Sequence, residues 1–336
     1  MRKKRVLSVL MVMVMAISML VGCGKSAGGS EAGDKKESKK DVFKVAFLPT
    51  DMSLTFASWL ASELQTAFEG YDDMELTVID SKNQLETQLS SMETCVSQGY
   101  DYIILLPIEP AAEDDIVQGY VEDGTPVMMI NLDDFGVEEA SSVIANPYDL
   151  GTVVATHAMT LLEEDANVVV LLGPSGNTDS IERRKAYEDI MFQKYPNVTI
   201  LDEQLGDWEK SKGMDLMESW IQVHGDKIDA VVSMNDAMAI GAYEAAKDAG
   251  LADKMMFFGV DGLADAAVSI EDDELTATAL QDAKVMAEEG ARVCHEVLTG
   301  KNEKGFEKVQ IPVTLITKEN VEEFITRYKE NGMLTE

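Results

Sequence analysis

Positive charge and cysteine are what this chain has least of. Its 336 residues hold 28 lysines and arginines against 61 aspartates and glutamates, a formal net charge of −33. So acidic a surface repels a phosphate backbone, which excludes nucleic acid as a partner. Cysteine occurs three times, at Cys23, Cys95 and Cys294, too few for a disulfide framework. His157, His224 and His295 lie far apart and none stands in a His-x-x-x-His spacing, so neither metal nor cofactor is expected. No Gly-x-Ser-x-Gly elbow occurs, which leaves a Ser-His-Asp hydrolase without an anchor. The segment after the first strand, Leu48-Pro49-Thr50-Asp51, lacks the glycines of a dinucleotide site. Gly24-Lys25-Ser26 resembles the end of a phosphate loop, but Met19 stands where the earlier glycine is required. Only paired-carboxylate glycosidase chemistry stays open in so acidic a chain, and the expectation is that it is no enzyme.

What is present begins at the N-terminus. Met1-Arg2-Lys3-Lys4-Arg5 is a basic cap, Val6 to Leu20 is apolar except for Ser8 and Ser18, and Leu20-Val21-Gly22-Cys23 follows. That order reads as a secretory signal peptide over 1–23, with an apolar stretch shorter than the roughly 20 residues a membrane span needs. Leu20-Val21-Gly22-Cys23 resembles a bacterial lipobox, which implies cleavage before Cys23 and lipidation of its thiol. No later apolar run is long enough to span a membrane. Without the four basic residues of the signal segment, the remaining chain carries about −37. Residues 24–41 are Gly, Ser, Lys and Glu with almost nothing apolar, as in a flexible tether.

From Val42 onward, short β-rich runs alternate with amphipathic helical stretches. Strands are expected at 43–48, 75–79, 102–106, 127–131, 142–145, 167–172, 198–202, 229–233, 255–260, 275–280 and 312–316. Helices of 12–20 residues lie between most of them, as at 56–69, 84–98, 148–164, 209–223 and 235–249. Continuous apolar strands alternating with helices predict parallel sheets covered on both faces, in α/β architecture. About eleven strands suit two doubly wound lobes better than one, with a βα barrel as the competing architecture. The alternation breaks at Ser141-Ser142-Val143-Ile144-Ala145, which follows the turn-like Asp133-Asp134-Phe135-Gly136 and no long helix. A crossover between lobes is therefore expected near 142–148. Cys95 and Cys294 fall within helical apolar patterns, as two buried thiols or as a disulfide.

Ligands of open parallel sheets bind beyond the carboxyl ends of the strands. The residues found there are Ser53-Leu54-Thr55-Phe56, Asn131, Gly173-Pro174-Ser175-Gly176-Asn177 with Arg183 a turn later, Asp207-Trp208, Asn235-Asp236, Asp261 and Gln281. Amides, carboxylates and a guanidinium suit a polyhydroxylated ligand, because hydroxyls both donate and accept. Phe56 and Trp208 offer flat apolar faces for the C–H side of a sugar ring. Each residue has a plainer reading: Trp208 as core, Asp207 or Asp236 as a helix N-cap, Arg183 paired with Glu182 or Asp179, and Gly173-Pro174-Ser175-Gly176 as a tight loop.

In this setting residues 42–317 resemble the type 1 periplasmic sugar-binding proteins, the ribose-binding-protein group. The matches are Asn235-Asp236-Ala237-Met238-Ala239-Ile240-Gly241-Ala242, Gly259-Val260-Asp261-Gly262 and Thr278-Ala279-Leu280-Gln281, with Arg183–Tyr187 and Asp207-Trp208 in order before them. The resemblance implies two lobes joined by a multi-strand hinge: 42–145 plus 282–311, and 146–281 plus 312–336. Hinge segments are expected near 131–146, 281–284 and 309–313. It further implies a lipid-anchored binding protein that takes a simple sugar or polyol and delivers it to an ABC permease. The rival role is presentation of the sugar to a chemoreceptor or sensor kinase. Arg183, Trp208, Asn235, Asp261 and Gln281 would touch the ligand with Phe56 and Asn131, and more weakly Ser53 and Thr55. Ser53-Leu54-Thr55-Phe56 and Asn131-Leu132 depart from the Asn-Pro-Phe-Phe and Asp-Arg of ribose binders, so ribose itself is in doubt. Sugar-responsive repressors share the core, but a signal peptide and tether stand where their DNA-binding helices belong. A monomer on the outer face of a Gram-positive membrane is the expected state.

Overall fold

The computed structural model describes residues 42–132 and 136–335. The expected signal peptide, Cys23, the tether over 24–41 and most of the turn at 133–136 lie outside the described residues. Among the described residues, no helix is long and apolar enough to cross a membrane.

Two six-stranded sheets carry the chain, and neither closes into a barrel. The first contains β1 (Phe43–Leu48), β2 (Met74–Val78), β3 (Tyr102–Leu105), β4 (Val127–Ile130), β5 (Ser141–Ile144) and β11 (Lys308–Gln310). The second contains β6 (Asn167–Leu172), β7 (Thr199–Leu205), β8 (Ala230–Ser233), β9 (Met256–Asp261), β10 (Ala277–Leu280) and β12 (Thr314–Thr317). Their orders are β11-β5-β4-β3-β1-β2 and β12-β10-β9-β8-β6-β7. Central strands such as β3, β4, β8 and β10 are buried along their whole length. That is why they read as unbroken apolar runs rather than as alternating ones.

The helices between strands are α1 (Thr55–Phe68), α2 (Leu85–Ser97), α3 (Pro110–Glu122), α4 (Pro147–Leu161), α5 (Thr178–Tyr187), α6 (Lys210–His224), α7 (Asp236–Asp248), α8 (Ala264–Glu271), α9 (Ala283–Leu298) and α10 (Val321–Glu330). α9 packs on α1 and the first sheet although it follows β10 of the second, while α10 packs on α8 and β12. The chain therefore passes between sheets after β5, after β10 and between β11 and β12.

Three strands depart from the expectation. β11 was not expected: it has three residues, with Lys308 and Gln310 exposed, and its pairing with Ser142, Val143 and Ile144 comes from tertiary contact alone. β12 pairs antiparallel with β10, whereas all other pairs are parallel. Residues 311–313 run straight from one sheet into the other with no helix to reverse the chain, so β12 enters head-on. β7 also extends to Leu205 through Asp202-Glu203-Gln204, a polar tail that an exposed edge strand tolerates.

Cys95 and Cys294 are both free and fully buried. Cys95 packs with Ala46 and Leu48, and Cys294 belongs to the core that contains Val45 and Phe47. Alternate residues of β1 point to opposite faces, so the first sheet stands between the thiols and no disulfide joins them.

Candidate functional site

The carboxyl ends of both sheets face one cavity with about 660 Å³ of empty space, part of it open to solvent. β1 and the start of α1 supply Thr50, Leu54, Thr55 and Phe56, while Leu106, Pro107 and Pro110 follow β3. Asn131 follows β4. The second sheet supplies Trp208 after β7, Asn235 after β8, Asp261 at the end of β9 and Gln281 after β10, and α5 supplies Asp179 and Arg183.

Arg183 is the hub. It is 2% exposed. Its Nη1 donates to the Met234 carbonyl at 2.7 Å and lies 3.5 Å from Asp261 Oδ1, and its Nη2 donates to Gln281 Oε1 at 3.0 Å. Gln281 Nε2 in turn donates to Asp261 Oδ1 at 3.1 Å, closing a triangle. The guanidinium carbon also stands 5.6 Å from the Trp208 ring centre. These partners replace a surface ion pair with Glu182 or Asp179: Glu182 is held by Lys185, 3.5 Å away, and Asp179 accepts from Asn131. Buried charge requires such satisfaction, since desolvation otherwise outweighs attraction.

Trp208 is half-buried on the cavity wall, seated against Gly173 so closely that a Cβ there would lie 2.2 Å from the ring. Asp207 and Trp208 have φ of 51° and 68°, Asn131 67° and Asp261 126°. Four non-glycine residues at the mouth thus hold backbone conformations that cost of order 1 kcal/mol or more each, a cluster of strain that favours a functional reading. Two capping readings are corrected. Asp207 does not cap α6; its carboxylate accepts from Lys212 Nζ at 2.9 Å, and Glu209 is the N-cap residue. Asp236 does not cap α7 either: Asn235 Oδ1 accepts from the Met238 N–H, and Asn235 Nδ2 donates to the Trp208 carbonyl at 3.2 Å.

Asp236 lies beneath the floor, fully buried, and accepts from the Leu263 N–H at 2.9 Å. Burial pushes its carboxyl up to about 7, against the pull of its hydrogen bonds. Burial likewise lifts Asp261 well above the usual carboxylate range, with Arg183 opposing.

The two sheets meet across the cavity. Asn131 Nδ2, from the first, donates to Asp179 Oδ2, from the second, at 2.9 Å. Phe56 stands edge-on to Trp59 at 6.1 Å, and Trp59 edge-on to Tyr328 of α10 at 6.2 Å. The Tyr328 hydroxyl donates to the Gly262 carbonyl, beside Asp261. All seven principal residues expected at the site, Phe56, Asn131, Arg183, Trp208, Asn235, Asp261 and Gln281, line this cavity. Thr55 lines it too, whereas Ser53 is exposed in an adjoining outer cleft with Asn83 and Asp207. Asp179 was weighed only as an ion-pair partner. Its position one helical turn before Arg183, on the same face of α5, was the signal that would have placed it here. Asn177 also lines the cavity and caps α5 through the Ser180 N–H. Among the described residues no group of three His, Cys, Asp or Glu is placed to hold a metal ion.

Residues 45–302 match the family of periplasmic binding protein domains. The chain is 27% identical over 302 residues to the xylitol-binding protein of Mycolicibacterium smegmatis, covering 90% of this chain and 84% of that one. It is 27% identical over 315 residues to the ribose import binding protein RbsB of Bacillus subtilis, covering 93% and 99%. An ABC transporter solute binding protein from Bacillus halodurans, solved with bound myo-inositol, superposes with a TM-score of 0.81 at 26% identity, over 87% of this chain and 100% of that one. Two parallel-sheet lobes with a cavity at their facing strand ends, together with these matches, make the chain a member of the periplasmic binding protein family, of type 1 fold.

Proposed function

We propose that this chain is the extracytoplasmic solute-binding component of an ABC importer, capturing a simple sugar or polyol between its lobes and releasing it unchanged. The observation that carries the reading is the Arg183–Asp261–Gln281 triangle facing Phe56 across a cavity walled by Trp208. Oriented donors and acceptors beside an aromatic face suit a ring or chain that carries hydroxyls on one side and C–H groups on the other. Relatives that bind xylitol, ribose and myo-inositol support the same class. The lobes would be 42–145 plus 282–311 and 146–281 plus 312–336, closing over the ligand about the three connections between sheets.

The N-terminal segment extends the proposal: lipidation of Cys23 would tether the trap beside its permease. Cys23→Ser should then release the protein into the medium, and continued membrane retention would remove the anchor from the account. A thermal-shift screen over pentoses, hexoses, polyols and nucleosides tests the ligand class, since a ligand that binds only the folded state raises its stability by mass action. Stabilisation by a sugar or polyol is expected. Stabilisation by amino acids alone would overturn the class.

A further inference from the structure

We propose that the cavity prefers a polyol or sugar bearing a protonated amino group, with Asp179 as the counter-ion of that group. The inference rests on the proposed sugar or polyol site and narrows its ligand. Its basis is the pairing of Asp179, whose side chain lines the cavity and is bonded to Asn131 rather than to a base. Among the described residues lining the cavity, Asp179 and Asp261 are acidic and Arg183 is the one base. Arg183 directs Nη1 and Nη2 to Asp261, Gln281 and the Met234 carbonyl, and its buried Nε has no acceptor among the described residues. Among the described residues, no base other than Arg183 lines the cavity.

Its hydrogen bonding is incomplete as well. Oδ2 accepts from Asn131, while Oδ1 is shielded from solvent and has no donor among the described residues. An unmatched carboxylate oxygen in an enclosed site is costly unless a donor arrives with the ligand. A hydroxyl would supply a hydrogen bond. An ammonium would supply a hydrogen bond and a positive charge, and charge-assisted bonds are about twice as strong as neutral ones. Burial pushes the Asp179 carboxyl up to about 6, with Arg183 opposing, so it remains ionised near neutral pH and able to receive a cation. Among the described residues the carboxylates do not converge as metal ligands, so an organic cation is the fitting partner.

The test is titration calorimetry of the purified protein with D-ribose, xylitol and myo-inositol, each set against its monoamino-deoxy counterparts. In at least one series an amino member should bind the wild type at least tenfold more tightly than its neutral parent. Asp179→Asn, which retains an acceptor for Asn131, should reduce that advantage to less than twofold. Asn131→Gly removes the bond to Asp179 but not its charge and tolerates the positive φ; it should weaken all ligands while keeping the advantage. Thermal midpoints of the unliganded variants establish that they fold. The inference is overturned if the neutral parent binds as tightly in every series that binds, or if the advantage survives Asp179→Asn. Binding of neutral parents alone removes this inference and leaves the proposed function standing; binding by no member of any series removes both.

Discussion

The two lobes bring unlike surfaces to the same cavity. The first contributes Leu54, Phe56, Leu106 and Pro107 with two hydroxyls, Thr50 and Thr55, and one amide, Asn131, whereas the second contributes Asp179, Arg183, Trp208, Asn235, Asp261 and Gln281. In the second lobe the polar groups are already bonded to one another, Arg183 to Gln281 at 3.0 Å and Gln281 to Asp261 at 3.1 Å. The labour is divided: one lobe holds a preorganised polar floor, and the other presents a mainly apolar wall that would exclude water if the lobes close.

That contrast can be broken in order of expected effect. Arg183→Ala should be the most damaging, because it strands Asp261 and Asp236 without their shared cation. A loss of roughly 3–5 kcal/mol is expected between folding and ligand binding, read by denaturant unfolding and calorimetry. A loss below ~1 kcal/mol would mean that the network is decorative. Trp208→Ala should weaken sugar binding by roughly 1–3 kcal/mol through lost aromatic burial, and Asp261→Ala by at least as much. Gly173→Ala should reproduce part of the Trp208 loss, since its methyl would displace the ring; unchanged affinity would show that the ring position does not matter. Phe56→Ala, in the apolar wall, should cost about 1 kcal/mol, less than any change in the floor. An equal or greater cost would invert the comparison.

Acidity compares the lobes in another way. Burial raises Glu113 of the first lobe from 4.5 to about 7, and Asp236 of the second from 3.8 to about 7. Each group therefore binds its proton more firmly folded than unfolded, so stability falls as pH rises between about 4.5 and 7. For Glu113, which is fully buried, the effect is on the order of 3 kcal/mol. The thermal midpoint of the unliganded protein should rise on acidification from pH 7 to pH 5, and Glu113→Gln should flatten that rise. A midpoint that falls over the same range would contradict the assignment.

Much of the fold and of the site is legible in the sequence. Buried strands such as Val168–Leu171 carry their own apolar signal, and the site residues follow them because strand ends in parallel sheets are where side chains converge. β11 was not legible, since Lys308-Val309-Gln310 becomes a strand only beside β5. The antiparallel entry of β12 was hidden for the same reason, being set by how the lobes face one another. Asp207 and Asp236 resembled caps because the residue type favours that role, but Lys212 and Leu263, distant or unmarked in the chain, claimed their carboxylates. Asp179 shares a face of α5 with Arg183, which the spacing makes legible, whereas its bond to Asn131, 48 residues away, is purely tertiary.

The central claim is that a sugar or polyol is held in the interlobe cavity by the polar floor of the second lobe. Calorimetric titration of D-ribose, xylitol, myo-inositol and their amino-deoxy counterparts into the wild type and Asp261→Ala tests it most directly. The account predicts saturable one-to-one binding of at least one of these compounds to the wild type, and loss of at least tenfold in affinity in the variant. Failure of all of them to bind, or equal binding by both proteins, would contradict it.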